Sequence, residues 1–301
     1  MTGWSEDKMK VLITGASGLL GKEITRVLSG KDHEILRMDH RNADITDRDT
    51  VLALVRTAKP DSVVHCAAWT DVDAAEIPEN RTAVYRVNVD GTRNIAEAAE
   101  SVCAKLLYIS TDYVFGGGGD VPWKPDDKQF APLNYYGRTK LEGERAAEES
   151  LDRFFIVRTS WLFGSGGKNF VRTMIDAGRN RDTVRVVNDQ IGTPTHAGDL
   201  ARLLADMIMT DLYGFYHATN AETEPGGYIS WYDLTREIYR QTGSSTEVIP
   251  VSSAEYGLSA AVRPLNSRLE KSKLIESGFQ MLPDWKDAVK RYVREMGKQE
   301  L

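Results

Sequence analysis

The chain has 301 residues, enough for one large α/β domain or a main domain with a smaller partner. Its 38 basic and 44 acidic residues leave a net charge of −6 with no basic tract, which argues against extended nucleic-acid binding but leaves room for a small anionic ligand. No apolar run approaches a membrane span, and the polar stretch Met1–Lys8 lacks the apolar core of a signal peptide, so it is expected to be a leader extension of a cytoplasmic protein.

The first expected strand is Lys10 to Thr14, followed by a glycine turn and an amphipathic helix from Leu19 to Leu28. His33 to Met38 reads as the second strand, Asp47 to Ala58 as a helix, and Ser62 to His65 as the third strand after the break at Pro60. A long helix is expected over Arg81 to Ser101, then a strand over Lys105 to Ser110. A loop with four successive glycines, Gly116 to Gly119, runs to Asn134. A helix carrying Tyr136 and Lys140 continues to Glu149, and Phe154 to Arg158 is another strand. Beyond Trp161, helices are expected near Asn169–Gly178, His196–Met209, Ser230–Thr242, Lys271–Glu276 and Asp284–Met296. Short strands are expected near Val184–Val187, Gly214–His217 and Glu247–Pro250. Cys66 at a strand end and Cys103 on a helix are both expected to be buried free thiols, as in a reducing cytoplasm. The five histidines show no metal-ligand spacing.

Alternation of strands and helices predicts an α/β fold: a Rossmann-type doubly wound parallel sheet with a smaller C-terminal substrate lobe. Residues 9–164 form the expected dinucleotide-binding domain and residues 165–301 the lobe, with elements near 195–220 returning to the first. Ligands of such sheets sit at the carboxyl ends of the strands, where the glycine turn, Asp39, Ala67 to Thr70, Thr111 and Thr159 to Trp161 all fall.

Gly15, Gly18 and Gly21 follow a strand and open a helix, the pattern that holds a pyrophosphate at a helix N-terminus. Gly15, Ser17, Gly18, Leu19 and Leu20 are its candidate contacts. Asp39 lies 18 residues after Gly21, where a carboxylate would hold the adenosine ribose. Arg37, His40 and Arg41 surround it and could accept a 2′-phosphate, so NADPH and NADH are both open. Asp44 and Ile45 flank the adenine or form the turn before the next helix. Tyr136 and Lys140 stand four apart on one helical face, where an ammonium can lower a phenol's pKa and make it a usable proton donor. With a dinucleotide site, that pair indicates hydride chemistry. Tyr135 stands five before the lysine and points elsewhere.

These motifs resemble the extended short-chain dehydrogenases/reductases. More narrowly, Ala67-Ala-Trp-Thr-Asp-Val-Asp-Ala-Ala-Glu76, Ser110-Thr-Asp-Tyr-Val-Phe115, Pro132 to Gly143, Arg158-Thr-Ser-Trp161, Asn188 to Thr195 and Arg263 to Leu269 resemble that family's dTDP-4-dehydrorhamnose reductase branch. The resemblance implies reduction of the 4-keto group of dTDP-4-dehydro-6-deoxy-L-mannose to dTDP-L-rhamnose by NADPH or NADH. It implies that Tyr136 is the proton donor, that Lys140 lowers its pKa and binds the nicotinamide ribose, and that Thr111 holds the keto oxygen. Asp112 and Trp161 would contact the substrate, and Ala67, Ala68, Trp69, Thr70 and Ile109 would line the cofactor. Related dehydratases resemble Thr-Asp-Glu where this chain has Thr111-Asp112-Tyr113, and the missing carboxylate argues against elimination.

Several residues keep two readings. Arg263 and Arg268 clamp a diphosphate or form surface salt bridges. Asp189 and Gln190 contact the pocket or make a plain turn. Trp161 stacks on the ligand or packs, Asn169 begins a helix beside the nucleotide, and Asn88 ties a helix to the sheet. Some reductases of the family dimerise around a magnesium ion held by glutamates; Glu23 and Glu295 match two of these, but Gly198-Asp199 stands at the third, so no required metal is expected and a homodimer is left open. The rival to an enzyme is a non-catalytic NADP-binding subunit resembling the regulatory β-subunit of methionine adenosyltransferase.

Overall fold

Six short apolar strands make one parallel sheet: β1 (Lys10–Thr14), β2 (Glu34–Met38), β3 (Ser62–His65), β4 (Lys105–Thr111), β5 (Phe154–Thr159) and β6 (Gly214–His217), in the order β6-β5-β4-β3-β1-β2. The structure, a computed structural model, describes residues 8–224 and 226–299, so residues 1–7 of the expected leader lie outside the described residues. Side chains alternate between the two faces of each strand. Val11, Ile13, Val64, Leu107, Phe155 and Val157 enter one core. Leu12, Val63, Leu106, Tyr108 and Ile156 enter the other. Burial on both faces explains why the strands read as continuous apolar runs.

Helix α1 (Leu19–Ser29) covers the first face with Leu20, Ile24 and Leu28. Helices α2 (Arg48–Ala58), α3 (Gly91–Glu100) and α4 (Tyr135–Ser150) cover the second. Asp47 caps α2 by accepting the Thr50 N–H, and Asn134 caps α4 by accepting the Gly137 N–H at 2.8 Å. The long helix expected before β4 is broken: Arg81–Tyr85 enters a π-turn at Arg86–Asp90 before α3 resumes. Such single turns cluster at functional sites; this one carries Asn88 towards the chain after β3.

Beyond β5 come α5 (Phe170–Asn180), α6 (Ala197–Met207), α7 (Trp231–Thr242) and α8 (Trp285–Gln299). Helix α6 and strand β6 belong to the sheet's layers, whereas α5, α7, α8 and the paired strands Thr183–Val187 and Glu247–Val251 surround a separate core of Phe163, Ile175, Leu234, Ile238, Trp285 and Tyr292. Among the described residues no helix is long and apolar enough to cross a membrane.

The cysteines correct one expectation. Cys103 is exposed and lies past the end of α3, where the turn puts it at φ 60°. Cys66 is half-buried at the end of β3, and burial pushes its thiol up to about 12.

Among the described residues, the least exposed ion pair joins α4 to β5. Arg158 donates through Nε and Nη2 to Glu144 at 2.9 and 2.7 Å, with both side chains almost wholly enclosed. Removing one partner strands the other charge in the core. Glu144→Gln should therefore destabilise the protein by about 3–5 kcal/mol. In urea unfolding the midpoint should fall, and Glu144→Gln with Arg158→Met should recover part of the loss.

Candidate active site at the carboxyl ends of the strands

Strand β1 has β2 on one side and β3 on the other, and the crevice opens where these connections diverge. It is a cleft of about 800 Å³. Gly15 begins it at φ 62°, and a Cβ there would lie 2.7 Å from the Ala67 nitrogen, so only glycine allows the turn to meet the end of β3. A Cβ at Gly21 would overlap the Gly15 carbonyl. Gly18 sits at the N-cap of α1 with no side-chain cap, leaving the first helical N–H groups directed at the cleft. Ser17, Leu19 and Leu20 line the same wall.

The floor under the turn is a chain of hydrogen bonds. Thr14 Oγ1 accepts from Ala67 N–H at 3.2 Å and lies 2.6 Å from His65 Nδ1; His65 Nε2 lies 3.1 Å from Thr92 Oγ1, which donates to the Asn88 carbonyl. This order fits a neutral ring protonated at Nε2. Burial holds the His65 pKa down at about 3, so this histidine is a tie and not a base. Asn88 accepts from the Trp69 N–H at 2.8 Å and donates to Thr139 Oγ1 at 3.0 Å, fixing the Ala67–Thr70 segment against α4.

At the β2 end, Asp39 accepts from Arg41 Nη2 at 2.8 Å and from the Arg41 N–H at 3.0 Å. These bonds hold its carboxyl down at about 2, so it is charged throughout the physiological range. Asp44 and Ile45 line the cleft beside it. Asp44 also accepts from the Thr46 N–H at 2.8 Å, the turn of its second reading.

At the other end, Thr111, Asp112, Tyr113, Tyr136, Lys140 and Ile109 converge. The Lys140 ammonium donates to the Ile109 carbonyl at 2.7 Å and lies 4.1 Å above the Tyr108 ring. Burial depresses it to about 7, against the opposing charge of Glu144. The Tyr136 phenol is raised, first by burial and then by Asp112, while the Thr111 hydroxyl acts the other way. The expected acidification of the phenol by the lysine is thus corrected: in this geometry the ammonium is spent on a carbonyl and a ring face. Thr111 donates to Asp112 Oδ1 at 3.0 Å, and burial lifts Asp112 to about 7. Tyr135 stays outside the cleft lining, its hydroxyl donating to the Arg81 carbonyl at 3.3 Å.

Trp161 lines the cleft at φ 49° and stacks on Trp231, ring centroids 3.8 Å apart. Arg263 also lines it and pairs with Asp73 at 2.6 Å, the salt bridge of its second reading. Five anticipated residues are not among those that line it. Trp69 donates its indole N–H to the Asp71 carbonyl. Asn169 caps α5 and holds the Gly164 carbonyl at 2.9 Å. Asp189 accepts from Ser253 N and Oγ at 2.8 and 2.7 Å, and Gln190 donates to the same hydroxyl at 3.0 Å. Arg268 is likewise away from the cleft, on Asn266 at 3.0 Å. Sequence reasoning missed Trp231 and Lys168, which both line the cleft. The capping box Ser230–Asp233 marks the helix start that carries Trp231, but no local signal shows which way the ring faces. Among the described residues no cluster of His, Cys, Asp or Glu suits a metal ion.

The model of the RmlD substrate binding domain matches residues 9–298. A dTDP-4-dehydrorhamnose reductase of Streptomyces griseus is 40% identical over 284 residues, covering 92% of this chain and 91% of its own. A dTDP-4-keto-6-deoxy-D-glucose reductase of Streptomyces niveus is 36% identical over 280 residues, covering 92% and 94%. The crystal structure of a dTDP-4-dehydrorhamnose reductase of Bacillus anthracis str. Ames in complex with NADP superposes with a TM-score of 0.90 at 40% identity, covering 96% of this chain and 100% of that one.

Lys140 gives this site a signature in stability. Its folded pKa lies below the unfolded value, so the unfolded chain binds the extra proton between about pH 7 and 10.5. Stability contributed through this group is lowest below pH 7 and rises across that window by a few kcal/mol. Lys140→Met should abolish this rise, as read by the difference in urea midpoints of the two proteins from pH 6 to 10.

Proposed function

The chain belongs to the RmlD substrate binding domain family, and from that membership and the cleft's geometry we propose that it reduces the 4-keto group of dTDP-4-dehydro-6-deoxy-L-mannose to dTDP-L-rhamnose. It is an oxidoreductase using NADPH or NADH, with a place in nucleotide-sugar and polysaccharide biosynthesis. The observation that carries the reading is the convergence of Thr111, Tyr136 and Lys140 in the cleft that the glycine turn opens. Residues 9–164 hold the cofactor, residues 165–301 cover the substrate, and elements near 195–220 return to the first part.

The residues present suit a dinucleotide. The groove between Gly15 and Ala67 is one that any side chain at Gly15 would fill. Gly15, Ser17, Gly18, Leu19 and Leu20 would hold the pyrophosphate, and Asp39, Asp44 and Ile45 the adenosine. Ala67, Ala68, Thr70, Ile109, Tyr136 and Lys140 would face the nicotinamide ribose and ring. When bound, the cofactor supplies a hydride.

The protein's part is to place the sugar and supply a proton. Thr111, whose hydroxyl donates to Asp112, turns that hydroxyl to the carbonyl oxygen when the sugar is bound and fixes that oxygen's position, which favours the charge that develops there. Tyr136 then protonates that oxygen. A phenol of raised pKa is still a sufficient acid, because the conjugate acid of an alkoxide is about as weak as water, near 16. Its raised value keeps it fully protonated and ready at neutral pH. Lys140, which burial depresses to about 7, faces the nicotinamide ribose from beneath Tyr136, Trp161 packs against the sugar or nucleotide face, and Arg263, held in place by Asp73, is directed to the diphosphate.

Incubation with dTDP-4-dehydro-6-deoxy-L-mannose and NADPH or NADH should consume the reduced nicotinamide absorbance and yield dTDP-L-rhamnose. Steady absorbance with both cofactors would favour the non-catalytic binding protein. Tyr136→Phe should lower kcat by about 10²- to 10⁴-fold with little change in KM, while Tyr135→Phe stays near wild type. The opposite pattern would reassign the proton donor.

A further inference from the structure

Asp112 is the one buried carboxyl among the described residues that line the cleft, and its Oδ2 is enclosed with no hydrogen-bond partner close enough to count. Its other oxygen, Oδ1, accepts the Thr111 hydroxyl. Asp39, at the far end of the same cleft, shows what a charged carboxylate looks like in this protein: two hydrogen bonds from one arginine to its two oxygens and a third from the backbone. An ion enclosed like Asp112 with one bare oxygen is strongly disfavoured; a neutral acid with a free hydroxyl is not.

Resting on the reading above, we propose that Asp112 meets the sugar as an uncharged carboxylic acid whose Oδ2 hydroxyl donates a hydrogen bond to a substrate oxygen. The reacting end of the cleft then presents hydroxyls from Thr111, Asp112 and Tyr136 and no anion. This matters because reduction builds negative charge on the keto oxygen. A carboxylate at residue 112 would repel that charge, whereas its acid form supports it. The groups around it agree. Tyr113 on its own turn and Tyr136 on α4 are both phenols that burial holds protonated. The hydroxyls of Ser267, from the C-terminal segment, and of Thr111 pull the other way, and burial outweighs both. Arg263 pairs with Asp73 and not with Asp112, and Lys140 donates to the Ile109 carbonyl. Among the described residues no ion pair reaches Asp112 to hold it ionised, in line with its shift to about 7. The proton is shared with the substrate through the hydrogen bond and not transferred; Tyr136 alone gives up its proton.

The first test uses the wild-type protein labelled with aspartate ¹³C in the carboxyl, titrated by NMR. The Asp112 resonance is assigned by its absence in Asp112→Asn or, if that variant does not fold, Asp112→Ser. Its midpoint should lie near 7; a midpoint in the ordinary aspartate range of about 3.9 overturns the proposal. The second test compares kcat/KM of Asp112→Asn with that of wild type across pH. Asparagine keeps an acceptor for Thr111 and an N–H donor but cannot ionise. Lys140 and Tyr136 titrate in both proteins, so their effects cancel in the ratio. The ratio of variant to wild type should rise by about tenfold per pH unit above 7, and a flat ratio overturns the proposal. Absence of turnover in both proteins would strike the proposed function instead, and the NMR midpoint would still decide the state of Asp112.

Discussion

The site depends on how closely α4 lies against β4 and its following turn. A methyl group at Gly137 would overlap the Tyr113 carbonyl, and one at Gly143 would come within 2.5 Å of the Asn88 carbonyl and the Tyr108 hydroxyl. With both positions bare, the helix sinks until its face at 136, 140 and 144 meets the strand residue by residue. Lys140 reaches the Ile109 carbonyl, Glu144 takes the Ser110 hydroxyl, and Tyr136 comes beside Thr111. Helical residues four apart share a face, and here that face is read out along successive positions of one strand. Arg158, from the neighbouring strand, fastens the lower end of the contact through Glu144.

The same packing separates what the sequence could show from what it could not. Strands buried on both faces announce themselves as apolar runs, and a glycine turn between strand and helix is a local pattern, so the sheet and the cleft's first wall were legible. So was the pairing of Tyr136 with Lys140 on one face. The electrostatics between them were not, because they depend on how far the helix sinks and on which acceptor the lysine finds first. Trp69, Asn169, Asp189 and Gln190 illustrate the converse. Each lies in a motif that runs past the cleft, but their side chains serve the scaffold: a backbone carbonyl, a helix cap, and a shared hydroxyl on Ser253. Trp231 and Lys168 reach the cleft from elements far along the chain, and only tertiary superposition brings them there.

Charge is distributed unequally along the cleft, and burial decides how. At the nucleotide end Asp39 is close to solvent and paired, so it keeps its charge. At the reacting end burial acts on every titratable group in the same sense, raising Tyr136 and Asp112 and lowering Lys140. Desolvation always favours the uncharged form. The outcome is a polar but nearly neutral chamber joined to a charged one. In a chamber of that kind a charge created by the reaction is felt strongly, since little water screens it. Donors already fixed around the keto oxygen, with no resident anion to oppose them, then act mainly on the state in which that oxygen has become negative. Stabilisation of this kind needs no strongly acidic phenol. It needs one that is protonated, correctly placed and kept from bulk water, and the close seating of α4 on β4 supplies all three.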